Sequence, residues 1–201
     1  MSTYQELKGL KVKYLSSDTS GDRIKEGEVF YNSTDFKLKS FVSTAAGTQT
    51  AGLLFAGDTL PGPSALTEEY NGSGWSNGGN MSTARRSIGG FGIQTAAVAT
   101  GGNPGPSVTT ATEEYDGSSW TSGGALGTGR RNIGTAGILT AGLAIGGNPP
   151  GGHLTTVEEY DGTSWTEGGA FPSAVSASAG AGTQTAALSI GGSPGQRTIN
   201  F

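Results

Sequence analysis

Apolar positions in this chain come in short clusters, none of which recurs at a helical step. From residue 41 onward the clusters are GLLFAG, AAVATGG, GLAIGG and AALSIGG, small or aliphatic residues closed by Gly-Gly or Ala-Gly. Short apolar runs bounded by glycine predict buried strands. Between them lie polar stretches built on one plan: TEEYNGSGWSNGG from Thr67, TEEYDGSSWTSGG from Thr112 and VEEYDGTSWTEGG from Val157. Asn-Gly and Asp-Gly tolerate positive φ and favour tight primed turns. The expected hairpin has a strand end at Glu113 to Tyr115, a turn at Asp116-Gly117 and a returning strand from Ser118 to Thr121.

Both motifs keep one metre. The polar motif begins at residues 67, 112 and 157, and the apolar one (GTQTAGLLFAG, GIQTAAVATGG, GILTAGLAIGG, GTQTAALSIGG) at 47, 92, 137 and 182, a step of 45 in every case. Interleaved motifs sharing one period identify a repeat protein. The apolar motif is expected as a buried inner strand ended by a glycine turn. A Gly/Ala-rich segment upstream of it (Ile88 to Phe91, Ile133 to Ala136, Val175 to Ala181) supplies a further strand. About four short antiparallel strands per unit is the content of one propeller blade, and the fold class expected is all-β, a β-propeller of about four blades.

A glycine pair after a small-residue strand, then a Tyr, a Trp and an Arg before the next strand, resembles a kelch-type propeller repeat. The wording of the copies resembles more specifically the kelch-like repeats in structural proteins of marine bacteriophages. That resemblance covers about Phe41 to Gly192. It departs at Ala56-Gly57, where the other copies have Gly-Gly, and at Val175-Ser176, where earlier copies have Arg85-Arg86 and Arg130-Arg131.

Composition narrows the reading. With 37 glycines in 201 residues and a third of the chain hydrophobic, the core must be thin, resting on three Trp, the repeat Tyr residues and the inner strands. So much Gly invites a disordered reading, but a disordered tract has no reason to hold aromatics at a fixed step. A net charge of −4 argues against a nucleic-acid partner. There is no cysteine, hence no disulfide framework. No run approaches the roughly 18 apolar residues of a membrane helix, so membrane insertion is not expected, nor does the N-terminus look like a signal peptide. A soluble product made in the cytosol is expected, at least until assembly.

All six lysines (Lys8, Lys11, Lys13, Lys25, Lys37, Lys39) precede residue 40, a break that marks a separate structural job for residues 1–40 before the repeats of 41–201. By the phage resemblance, MSTYQELKGLKVKYLSSD and EGEVFYNSTDFKLKSF are a virion-docking segment. A residue-level alternative exists. Phe30 lies one period before Trp75 and Glu26-Gly27 one period before Asn71-Gly72, so this segment would lend a hairpin to the last blade, closing a ring without exposed edges. Pairing of half-blades between subunits is the other solution.

The acidic pairs Glu68-Glu69, Glu113-Glu114 and Glu158-Glu159 invite a glycosidase reading. Neighbours in a strand face opposite ways, and the pairs recur in every unit, so one Glu of each is expected to meet an Arg or a backbone donor between blades. Arg85, Arg86, Arg130 and Arg131 are read as structural partners before an anion or sugar-acid site. Tyr70, Trp75, Tyr115, Trp120, Tyr160 and Trp165 are read as structural packing. A copper-radical oxidase needs two His ligands and a Cys; one His, His153, is present. No nucleophile elbow or calcium loop appears. No catalytic residue, metal or cofactor is expected. The loops after each glycine pair, with Asn103, Pro104, Asn148, Pro149 and His153, vary most between copies and are the surface expected to contact ligand.

The phage resemblance implies a non-enzymatic virion structural protein, in tail, fibre or capsid. Its expected partners are other virion proteins, further copies of itself and host-surface glycan, its location the virion. A cellular kelch-type protein-binding module is the alternative.

Overall fold

A computed structural model describes four N-terminal strands and the run 44–194 apart from residues 60 and 61. Strands Thr3–Leu7 (β1), Leu10–Leu15 (β2), Phe30–Asn32 (β3) and Lys37–Lys39 (β4) form one sheet in chain order, with β2 and β3 parallel. Phe30–Asn32, the segment aligned with Trp75–Asn77, is thus placed between Leu10–Leu15 and Lys37–Lys39. The proposed turn at Glu26-Gly27 lies outside the described residues.

The repeats build antiparallel sheets. The first contains Thr44–Thr48 (β5) and Ala51–Phe55 (β6), then, after a small hairpin of Asp58–Thr59 (β7) and Gly62–Pro63 (β8), Thr67–Tyr70 (β9) and Trp75–Asn77 (β10). Gly89–Ile93 (β11), Ala96–Thr100 (β12), Thr112–Tyr115 (β13) and Trp120–Ser122 (β14) form the next. Gly134–Ile138 (β15), Ala141–Ile145 (β16), Val157–Tyr160 (β17) and Trp165–Glu167 (β18) repeat it, and Ala179–Thr183 (β19) with Ala186–Ile190 (β20) form a two-stranded sheet. Register is kept throughout: Gly52 faces Tyr70, Ala97 faces Tyr115 and Gly142 faces Tyr160. The described residues contain no helix. The architecture is all-β and consistent with a multi-blade β-propeller.

Two local expectations are corrected. The apolar motif is not one strand: in GIQTAAVATGG, Ile93 ends β11, Gln94-Thr95 form the turn, and only AAVAT is the buried strand β12. The polar hairpin closes through a four-residue loop, with Tyr115 opposite Trp120, and not through a two-residue primed turn. Asp116 decides this, because its Oδ1 accepts the Ser118 and Ser119 N–H groups, each at 2.8 Å. An Asx loop of this kind satisfies the amides locally and delays strand pairing until the Trp.

Why so many small residues are needed becomes plain in the packing. The first strands β5, β11, β15 and β19 lie side by side in chain order. A Cβ on Gly180 would stand 2.2 Å from the Thr135 carbonyl oxygen, so only glycine admits this approach. Thr135 Oγ1 in turn donates to the Gly90 carbonyl at 2.7 Å, one period away. Ser87, Asn132 and Ala177, at one period's spacing, form a backbone ladder in which each N–H donates to the residue 45 before it, both bonds 2.8 Å.

These three residues share the left-handed conformation, with φ of 54°, 53° and 53°. Ala56 takes it as well (φ 57°), matching Gly101 at 61° and Gly146 at 59°, so the irregular Ala-Gly of the first copy keeps the turn of its siblings. For alanine that region costs about 1–2 kcal/mol. Ala56 recovers part of this by burying its methyl, whereas Ala177 is exposed. Ala177→Gly is therefore expected to raise the unfolding free energy by about 0.5–1 kcal/mol, net of glycine's extra unfolded-state entropy. Urea denaturation checks it, and an unchanged or lower midpoint would refute the strain assignment.

Candidate ligand-binding loop face

Charged groups that would suit chemistry are largely committed to joining the repeats. Glu113 and Glu114 point to opposite faces of β13, as strand geometry requires. Glu113, 3% exposed, receives Arg85 Nη2 at 2.8 Å and the Ser82 N–H at 2.7 Å. Arg85, fully buried, also donates from Nη1 to the carbonyls of Gly101 (2.9 Å) and Ala111 (2.7 Å). Arg130 and Glu158 repeat this pair at 2.9 Å, with the Gly127 N–H in place of Ser82, but without Arg85's aligned carbonyl bonds. Burial pulls both guanidinium groups below their ordinary value, and the facing carboxylate opposes it.

The second Glu of the first two pairs serves the next repeat. Tyr115 OH donates to Glu69, and Tyr160 OH to Glu114. Trp120 Nε1 donates to Thr67 at 2.9 Å and Trp165 Nε1 to Thr112 at 3.0 Å. Gln94 spans the same interface from the turn, donating to the carbonyls of Gly52 (3.1 Å) and Tyr70 (3.0 Å), and Gln184 copies it on Gly142 and Tyr160. The expectation for the acidic pairs thus holds at Glu113 and Glu158, while the Tyr–Glu and Gln–carbonyl bonds went unread. The repeated spacing of Glu, Tyr and Gln was the available signal. Tyr70 and Trp75 stack at 5.1 Å, but Trp75 is 54% exposed where Trp120 is 9%, because no preceding Thr and Phe of this kind receive it among the described residues.

Burial, and secondly the bond to Glu69, pushes the Tyr115 hydroxyl up to about 12 from 10.0, and Tyr160 is raised by the same causes. Their neutral form is the one the fold favours, so this stabilisation is complete below pH 10 and is lost as pH rises toward 12. At the other extreme Asp116 is held at about 2, first by the Ser119 amide, and its contribution disappears as pH falls from 3.8 through that value. Tyr115→Phe is expected to cost about 1–2 kcal/mol at neutral pH and to flatten the alkaline loss. Melting the variant and wild type between pH 8 and 12 tests this, and identical alkaline slopes would contradict it.

The variable loops gather at the end of the sheets that also carries the arginine pairs. Asn103 is 5% exposed, its backbone bridges Arg86, and its Oδ1 accepts the Gly105 N–H at 2.9 Å. Pro104 is exposed beside it. Asn148 bridges Arg131 in the same way, Pro149 is half-buried, and residues 150–152 are exposed. His153 is half-buried, with Nδ1 2.9 Å from Ser176 Oγ. Arg86 bonds Asp58 at 3.1 Å across a largely solvated gap. Arg131 is exposed and has no acidic partner among the described residues. No cluster of three or more His, Asp or Glu positioned to hold a metal occurs among the described residues. The end carries an exposed arginine and a half-buried imidazole, suited to hydrogen-bonding recognition. No family model matches the chain, and no curated protein matches it.

Proposed function

We propose that this chain is a non-enzymatic structural protein of a bacteriophage virion. It displays a kelch-like β-propeller, with residues 1–40 docking to the particle and the loop end meeting host-surface glycan. One observation carries the reading: Glu69, Glu113, Glu114 and Glu158, the groups best suited to acid-base work, are engaged at one period's spacing in bonds within and between repeats. A rigid scaffold whose variation is concentrated in loops at one end suits binding over turnover. Many-copy display suits it too, since weak contacts gain by avidity.

The test is localisation of the full chain. An epitope-tagged copy produced during infection should sediment with purified particles and be seen on them by immunogold labelling. Recovery solely in the soluble fraction of the lysate would refute the virion assignment and favour a cellular protein-binding module. Binding of the purified chain to a glycan array tests the attachment role separately.

A further inference from the structure

The repeats serve as internal controls for one another at the loop end, and one copy departs from its siblings at three points. Arg86 is neutralised by Asp58, which lies 28 residues before it. The residue at the same distance before Arg131 is Asn103, already occupied with the Gly105 amide. Arg131 therefore keeps the position of Arg86 without its counter-charge. The second departure is at Asn148, the bridge partner of Arg131. Its sibling Asn103 has its Oδ1 satisfied by the Gly105 N–H, but the residue aligned with Gly105 is Pro150, which has no N–H, and the buried Asn148 Oδ1 has no partner.

The third is His153. Its Nδ1 is tied to Ser176 Oγ, which fixes the ring, while Nε2 has no partner among the described residues. Ser176 is the residue aligned with Arg131 in the next repeat, and the adjoining Ala177 N–H bonds the Asn132 carbonyl at 2.8 Å, so the imidazole stands one repeat step from the guanidinium. An unpaired cation and a fixed imidazole edge thus stand one repeat step apart, and the residue bridged to Arg131 has a buried acceptor without a partner.

We propose that Arg131 and His153 form a subsite for an anionic sugar residue of a host polysaccharide, bearing a carboxylate or a sulfate ester. The planar guanidinium takes two oxygens of the anion in a fork. His153 Nε2 contacts a ring hydroxyl beside the anion. This rests on the glycan-contact reading above and adds the charge of the sugar and the residues that select it.

Titration of the full chain by calorimetry, with a uronic-acid oligosaccharide, a sulfated one and a neutral one of equal length, tests it. At least one charged ligand is expected to bind more tightly than the neutral one, which also names the anion. Arg131→Gln should weaken that ligand at least tenfold, and Arg86→Gln, whose arginine already has an acid, should change it less than threefold. Raising the salt should weaken binding to wild type but not to the Arg131 variant. If the neutral oligosaccharide binds as well as the charged ones, or Arg131→Gln leaves affinity unchanged, the subsite is refuted while glycan contact stands. Silence towards all three, joined with an empty glycan array, would refute both.

Discussion

Arg85→Ala is expected to lower the unfolding free energy by about 3–5 kcal/mol, the cost of stranding a buried charge. Glu113 is 3% exposed and would keep one backbone donor, the Ser82 N–H, for its carboxylate. The Gly101 carbonyl would lose its donor as well, and that of Ala111 would keep only the Gly101 N–H. Removing both charges is a different experiment. Arg85→Met combined with Glu113→Leu leaves little uncompensated charge, so the double variant should recover most of the loss. The fourth copy has already made half of this exchange: Val175, 8% exposed, occupies the aligned position and packs with Leu143 and Ile145. Urea denaturation of both variants measures the effect. A single variant within 1 kcal/mol of wild type, on the order of a surface ion pair, would show that the clamp contributes nothing special.

Phe55→Ala should cost a similar amount, about 3–5 kcal/mol, by opening a cavity at the first repeat interface. Phe55 is 1% exposed, with its ring centroid 5.0 Å from that of Trp120. The small residues around it are strands held by hydrogen bonds, so they cannot collapse inward to refill the space. The corresponding change at the next interface, Phe91→Ala, should cost less, because Trp165 is only half-buried and meets Phe91 edge-on at 6.2 Å. Equilibrium unfolding ranks the two. Fluorescence adds a local readout, since the emission of Trp120 should shift red in Phe55→Ala while exposed Trp75 contributes equally before and after. Equal losses at both sites would contradict the packing difference.

These expectations describe a scaffold whose repeats are joined by buried hydrogen-bonded charges and interlocked rings. Such a body holds its loop end steady, and this lets a few side chains there select a ligand without an ordering cost on binding. The proposed role of Arg131 depends on that rigidity. The guanidinium is exposed on a long side chain, but its backbone is pinned to Asn148 in both directions, N–H to carbonyl at 3.1 and 2.7 Å.

Period and strand content were legible in the residues alone, because a repeat states each local preference several times and chance agreement cancels. Glycine pairs predicted the turns after β12 and β16 for the same reason. What the chain could not disclose were contacts between residues far apart. Glu114 and Tyr160, or Gln94 and the Tyr70 carbonyl, meet only once two sheets have been laid side by side. The ring that fills each interface shows this most clearly: Phe55 comes from β6 and Phe91 from β11, positions that do not align in the repeat, yet each packs against the Trp of the following repeat. Alternation and spacing act along one strand and so fix its period and its faces. The volume between strands is shared by residues from several of them, and only the folded arrangement decides which one fills it.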